Sequence, residues 1–497
     1  MKKTLSLVIA VMMIISLVSA ISFGASAEGE GVAFTGTGTA EDPYVIESAD
    51  NLIYLQKQVA DGNDYAGKLF AQKNDIDLGN KDWTPIGDSG KKFAGVYDGA
   101  NHKITGFAVT SPKGYVGLFG YIKSNGAEAG IMNLTIEGKI ELATLEADSN
   151  IGAFAGYIEG TAQAGVKEYA AKGYNLVSNV NITVNDGGNK KQPRIGGIFG
   201  QATACELENI TNNGTISSEN NHVSRTGGVI GQTCRSNIRA AVNNGDVTSV
   251  VKTANDVQTA GIASVLTYYG GDGTLFERCV NNGKITGISE GGQVKIGSVF
   301  AGVWDGTNPK ENTVKTTVSK CSNTGAIYAE CKDPAKNDLT GGICSYITNG
   351  GVTIEDTVNA TNDIVTKGAF GNKENAKIGG LVFNLNVSGQ PEVNLVKNSM
   401  TVTPNYYVGK GFTEENVKVS ATAEEAKAAV DAIVALIKPV DAARIAGLSA
   451  PASFYATAQE PTPVTPPPTG DSVIIYATLA VLSLGAASAL ILRRKEN

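Results

Sequence analysis

Two stretches of the chain repeat one another. Ile195-Gly196-Gly197-Ile198-Phe199-Gly200 is followed by Asn212-Asn213-Gly214-Thr215-Ile216. Gly227-Gly228-Val229-Ile230-Gly231 is then followed by Asn243-Asn244-Gly245-Asp246-Val247. Each unit pairs a glycine-centred apolar run with an Asn-x-Gly-x-(Ile or Val) turn. The apolar run recurs at Tyr115-Val116-Gly117-Leu118-Phe119-Gly120 and Ile151-Gly152-Ala153-Phe154, and in looser form to Gly379-Gly380-Leu381-Val382. Anchored on Gly117, Gly152, Gly197, Gly228, Gly261, Gly297, Gly342 and Gly380, the steps are 35, 45, 31, 33, 36, 45 and 38 residues. The turn recurs in phase at Asn281-Asn282-Gly283-Lys284-Ile285 and Asn323-Thr324-Gly325-Ala326-Ile327, with a degenerate copy at Gly138-Lys139-Ile140. Two motifs alternating through most of a chain indicate a repeat architecture.

The unit is β. Asn-Gly pairs supply the positive φ of tight turns, and the pieces between them are short and alternating, as in Ile285-Thr286-Gly287-Ile288. A unit of 30 to 45 residues made of short strands cannot bury its own apolar face, whereas stacked units can. The expected fold is therefore all-β, a parallel β-helix, right-handed by the general crossover preference. A β-propeller has a similar period, but steps from 31 to 45 suit a solenoid with loop insertions better. A small helical cap is expected at the N-terminal end of the stack, because an open end exposes unpaired strand edges, and a second helix is expected either to cap the other end or to form a small module between the solenoid and the spacer. Over 48–60, Leu52, Leu55 and Val59 share one helical face with Ile53 at its edge. Over about 424–437, Val430, Ile433, Val434 and Ile437 recur at helical spacing.

The chain's ends carry addresses. Met1-Lys2-Lys3, an apolar run from Leu5 to Val18, and Ala25-Ser26-Ala27 form the three parts of a secretory signal peptide, with cleavage expected after Ala27. At the other end Pro461–Pro468 is proline-rich, 473–492 is an uncharged apolar run long enough to span a bilayer, and Arg493-Arg494-Lys495 follows. The expected organisation is a signal peptide over 1–27, an N-terminal cap and first coils over 28–113, and repeats over 114–403. A cap with a helix over 404–450, a spacer with sorting motif over 451–470, and a membrane helix with basic tail over 471–497 complete it.

Two resemblances follow from these residues. Gly117-Leu118-Phe119-Gly120 resembles the GLUG repeat of bacterial surface proteins. The preceding segments Asp42-Pro43-Tyr44-Val45-Ile46, Trp83-Thr84-Pro85-Ile86-Gly87 and Phe93-Ala94-Gly95-Val96-Tyr97-Asp98-Gly99 fit the same group. The C-terminus resembles a sortase sorting signal of the Leu-Pro-x-Thr-Gly type: Pro467, Thr469 and Gly470 match, and Pro466 stands where that family has Leu. The resemblance implies cleavage between Thr469 and Gly470, with sortase and cell-wall peptidoglycan as partners, and a Gram-positive-type cell wall as the location. Retention of 473–492 as a single-pass anchor is the alternative.

Composition narrows the chemistry. With the end segments set aside, 36 basic and 46 acidic residues remain, a balance near −10 that argues against nucleic acid as a partner. The six scattered cysteines form no Cys-x-x-Cys pair and read as core filling ahead of disulfides. His102 and His222 are the only histidines. The zinc-peptidase pattern His-Glu-x-x-His, whose domains accompany GLUG repeats in some proteases, does not occur. Gly287-Ile288-Ser289-Glu290-Gly291 has nucleophile-elbow spacing but leads into another repeat strand. No cofactor, metal or catalytic residue is expected. Candidate binding residues are Asp75 and Asp77, which share a strand face and could hold calcium or act on a glycoside, or simply point outward while Ile76 and Leu78 point in. Tyr268, Tyr269 and Trp304 are candidates for stacking on a sugar, or for coil packing. The expected function is a non-enzymatic adhesin or binding stalk for an extracellular glycan or host protein. The alternative is a wall-attached polysaccharide lyase or glycoside hydrolase.

Overall fold

The computed structural model describes residues 31–161, 168–268, 273–305, 315–333, 335–336, 338–347, 351–361, 363–368, 393–395, 399–401, 417–419 and 422–451. The signal peptide with Ala25 and Ala27, the sorting residues Pro467, Thr469 and Gly470, the run 473–492 and the anchor Gly380 lie outside them.

The chain is an all-β, β-helix-like stack of parallel sheets. One full coil shows the plan. Pro193–Gly196 lies in sheet I, Phe199–Thr203 in sheet II, and Cys205–Asn212 and Ile216–Asn220 in sheet III. The next coil repeats it in parallel register: Gly196 beside Gly227, Phe199 beside Ile230, Ile210 beside Ala241, Ile216 beside Val247. Sheets I and II hold seven strands each and sheet III holds 23 among the described residues. The coils can vary in length because the insertions fall between strands, while the strands keep their register.

Inward side chains form ladders along the axis. In sheet II the register Phe119, Ala155, Phe199, Ile230, Ala263, Phe300 places large and small residues in one buried row. Bulk from one coil fills the space left by a small residue in the next, which is how a core reaches close packing. The six cysteines are free and buried, so they fill core volume. Burial pushes the Cys331 thiol up to about 11 and also raises those of Cys205, Cys321 and Cys344.

The structure corrects the sequence reading in three places. First, the strand register aligns Gly117 with Gly152, Gly196, Gly227, Ala260, Gly297 and Gly341. The anchors Gly197, Gly228, Gly261 and Gly342 therefore sit one position later than Gly117, Gly152 and Gly297. A Gly-Gly pair reads alike in either frame; only the strand partners choose between them.

Second, Gly214, Gly245, Gly283 and Gly325 do not have positive φ. An added Cβ on each would lie 1.9–2.0 Å from a carbonyl oxygen of the preceding coil: Val180, Gly214, Gly245 and Gly283 in turn. Close approach of backbones, not turn handedness, requires glycine there. Positive φ falls instead on another corner, at Asn133, Asn175, Asn209, Ala240, Arg278, Lys320 and Asp356.

Third, the C-terminal helix is not over the end of the stack. Helix α2 (Ala423–Val434) packs along its flank, with Val430, Ile433 and Ile437 against Ala240, Val242, Val280 and Val358. The N-terminal helix α1 (Ala49–Asp61) has the expected buried face, Leu52, Leu55 and Val59, within the same core cluster as Ile46 and Phe70. Ser48 caps it, and the Asn51 side chain returns a bond to the cap backbone.

Candidate functional site

Of the predicted site residues, the described side chains Asp75 and Asp77 form no shared site. Asp75 and Asp77 are exposed on one side of the chain while Ile76 and Leu78 are buried. Asp75 Oδ1 lies 3.1 Å from His102 Nδ1 and accepts the Lys103 backbone N–H at 3.0 Å. Asp77 Oδ1 accepts the Gly79 N–H at 2.8 Å. Asp75 is taken up by the following coil and Asp77 by its own turn. Among the described residues no group of three His, Cys, Asp or Glu could hold a metal. In sheet II, Trp304 is level with Thr267 and Tyr268 with Asp305, so the two aromatics are not level with each other. Their side chains, and all of Tyr269, lie outside the described residues. Ser289 is buried in the strand Ile285–Ser289, donating to the Asn255 carbonyl at 3.0 Å and accepting from Gly292 N at 2.8 Å, so it is no elbow.

Two other clusters do form. At the N-terminal end, Tyr121 stacks on Tyr115 of its own coil and on Tyr157 of the next, with centroids 5.3 and 4.6 Å apart. Tyr121 and Tyr157 share a register position, so the 4.7–4.9 Å strand spacing itself sets the stack. The Tyr121 hydroxyl donates to Glu159, and Tyr157 donates to Thr203 Oγ1 at 3.0 Å. Burial raises both phenols, so both remain neutral donors. Lys123 pairs with Glu159 at 3.1 Å, and the Lys92 ammonium sits 5.3 Å from the Tyr121 ring centre. Beside them opens a hollow of about 400 Å³ whose lining includes Val59, Asp64, Lys91, Lys92, Lys123 and Asn125. Three ammonium groups and one carboxylate line it, and one of the three, Lys123, is already paired with Glu159.

The second cluster is a charged network on the outer face of sheet III. In Cys205–Asn212, Glu206 and Glu208 alternate in sequence with the core residues Cys205 and Leu207, yet both glutamates are themselves buried under their partners. Glu206 accepts from Asn237 at 2.7 Å, Arg239 at 2.8 Å and the Tyr169 N–H at 3.2 Å. Glu208 is held by Arg278 at 3.2 Å and by Arg444 of the C-terminal segment. Two carboxylates on one strand are a glycosidase-like arrangement on paper. Here both oxygens of Glu208 are taken by guanidinium groups, which leaves none to protonate a leaving group. The alternation Cys205-Glu206-Leu207-Glu208 was the only sequence signal for this network. Arg444, 236 residues away, gave none.

No family model matches the chain. It is 36% identical over 129 residues to a protein of Evansella cellulosilytica provisionally named a Gly-rich membrane protein, covering 24% of this chain and 14% of that one. It is 28% identical over 186 residues to halomucin of Haloquadratum walsbyi, covering 34% of this chain and 2% of that one. The chain thus spans a small fraction of these curated relatives. Among solved structures, a Bacteroides ovatus protein provisionally titled an immunoglobulin A1 protease aligns over 68% of this chain and 80% of its own. The identity is 17% and the TM-score 0.39, a likeness too loose to carry an argument.

Proposed function

We propose that the chain is an exported surface protein that holds a non-enzymatic binding face on a right-handed solenoid, fixed to a Gram-positive-type cell wall through Thr469. The observation that carries this reading is the parallel register that runs from Tyr44 to Val419, a rigid rod of repeated coils. The end signals at Ala25–Ala27 and Pro467–Gly470 and the names of the two partial relatives support a surface location. Sortase and peptidoglycan are the partners in anchoring; an extracellular glycan or host protein is the partner in binding. The tyrosine stack and lysine-lined hollow are the best-formed contact surface for such a partner. The half-buried Tyr115 and Tyr157 rings flank buried Tyr121 and offer their edges, and the ammonium groups favour an acidic ligand. Probing glycan and matrix-protein arrays with recombinant residues 28–460 tests this. Saturable binding weakened by Lys92→Gln supports it. Absence of binding on every array, or turnover of a polysaccharide by the purified body, overturns it.

A further inference from the structure

Residues 422–450 run back along the outside of the stack. Helix α2 lies toward the C-terminal end of the stack, beside the coils of Lys320 and Val358: Ala429, Ile433 and Leu436 lie with Lys320, Asp356 and Val358 around a hollow of about 260 Å³. Arg278 Nη1 then donates to the Leu436 carbonyl at 3.4 Å. Val440 N donates to Asn175 Oδ1 at 2.9 Å, and Arg444 reaches Glu208 and lies 5.6 Å from the Tyr174 ring centre. Val440 and Ile445 pack with Leu69, Val96, Met132 and Tyr174. Finally, Ala450 N donates to Oδ2 of buried Asp98 at 2.8 Å. The positive-φ corners from Asn133 to Asp356, with Asp98 one coil earlier, mark seven coil steps. At about 4.8 Å each, the strap crosses roughly 34 Å.

The described strap therefore ends at Pro451 beside the Asp98 coil, whose strand is third along sheet III after Tyr44–Ile46 and Leu69–Gln72, so its end is near the N-terminal end of the stack. We propose that this strap delivers the anchoring tail to the N-terminal end of the solenoid and is the element that yields first when the tail is pulled. The sense of attachment decides this. Tension entering at Pro451 meets the Ala450–Asp98 bond alone, then the Val440–Ile445 contacts, then the α2 contacts. It works on one small group of bonds at a time. The coils behind the strap are joined by whole ladders of parallel backbone bonds that must break together. The strap peels toward the last coil, the tether lengthens and the β stack stays folded.

As a device of surface attachment the inference rests on the anchored reading above, but its test does not require a cell wall. Purified residues 28–470 are held in optical tweezers by handles at residue 470 and at exposed Lys367. Twenty-nine freed residues extend to about 100 Å, so the first event lengthens the tether by roughly 65 Å, with the coils still folded. Ala450→Pro, which removes the N–H given to Asp98, and Arg444→Gln each lower the force of that event and leave its length unchanged. A first event that already includes coil unfolding overturns the proposal, as does a force unchanged in both variants. Hydrogen exchange guards against misfolded variants: the amides of the Asn212–Asn359 coils must stay protected in both. Release of the protein from intact cells would defeat the anchoring reading and leave the pulling result standing.

Discussion

Gly228 and Asn243 occupy one space. A Cβ on Gly228 would lie 2.3 Å from Asn243 Cγ, and the same holds at 2.3 Å for Gly197 with Asn212 and at 2.4 Å for Gly261 with Asn281. This is why the two motifs recur in phase. The freed space lets a buried asparagine turn inward, where Asn243 Nδ2 donates to the Gly245 carbonyl at 2.8 Å and to Asn281 Oδ1 at 2.9 Å. Asn212, Asn281 and Asn323 repeat the pattern and make an amide ladder running to Asn359. By register, the equivalent pairs in the two coils before Gly197 are Leu118 with Ile136 and Ala153 with Ser178. When the small residue grows, its partner loses the amide.

That exchange predicts a coupled pair. Gly228→Ala overpacks the site and Asn243→Ser opens the ladder, so each alone lowers stability, by about 1–3 kcal/mol. Together they reproduce the Ala153 and Ser178 pairing and lose less than the sum. Rescue is partial, because the new methyl also meets the Gly261 carbonyl oxygen at 2.2 Å. A double-mutant cycle in urea measures it; strict additivity counts against the shared space.

Asp338 predicts a pH dependence. It is buried in sheet I, its Oδ1 bonded to the Thr340 hydroxyl, and burial pushes its carboxyl up to about 7. The unfolded value is about 3.9. The folded state thus favours the protonated form, and its stabilising contribution is full below about pH 4 and fades as pH rises through 7. Asp338→Asn should flatten the change in urea midpoint between about pH 5 and pH 8, chiefly by stabilising the alkaline side.

Helix α1 predicts a solubility effect. Its apolar face joins the core cluster next to the first strand, Tyr44–Ile46. Removing residues 48–60 bares that end, and the truncated protein should aggregate where the intact one stays monomeric. Light scattering at matched concentration reads this directly; a soluble, folded truncation removes the cap role.

The sorting residues predict a fractionation result. Thr469→Ala should move the protein from the wall fraction to the membrane fraction or the medium, with no change in the thermal unfolding of residues 28–460. Retention in the wall would show that Thr469 is not the linked residue.

The repeat, its β character and its stacking could be read from Gly197, Gly228, Asn212 and Asn243 because each coil carries nearly the same words, and neighbours along the axis are neighbours in the repeat. Helix α1 was legible for a similar reason: Leu52, Leu55 and Val59 are close in sequence. What the tertiary structure alone decided involves partners that no local pattern links. The frame shift between Gly117 and Gly197 is settled by strand pairing. The need for glycine at Gly245 is settled by the Gly214 carbonyl of the coil before it. The strap's path is settled by bonds such as Ala450 to Asp98, 352 residues apart. Amphipathic spacing shows that a helix has a face to bury. It does not show which surface will cover that face, since many apolar surfaces would satisfy it equally and only the assembled stack presents one at the right place.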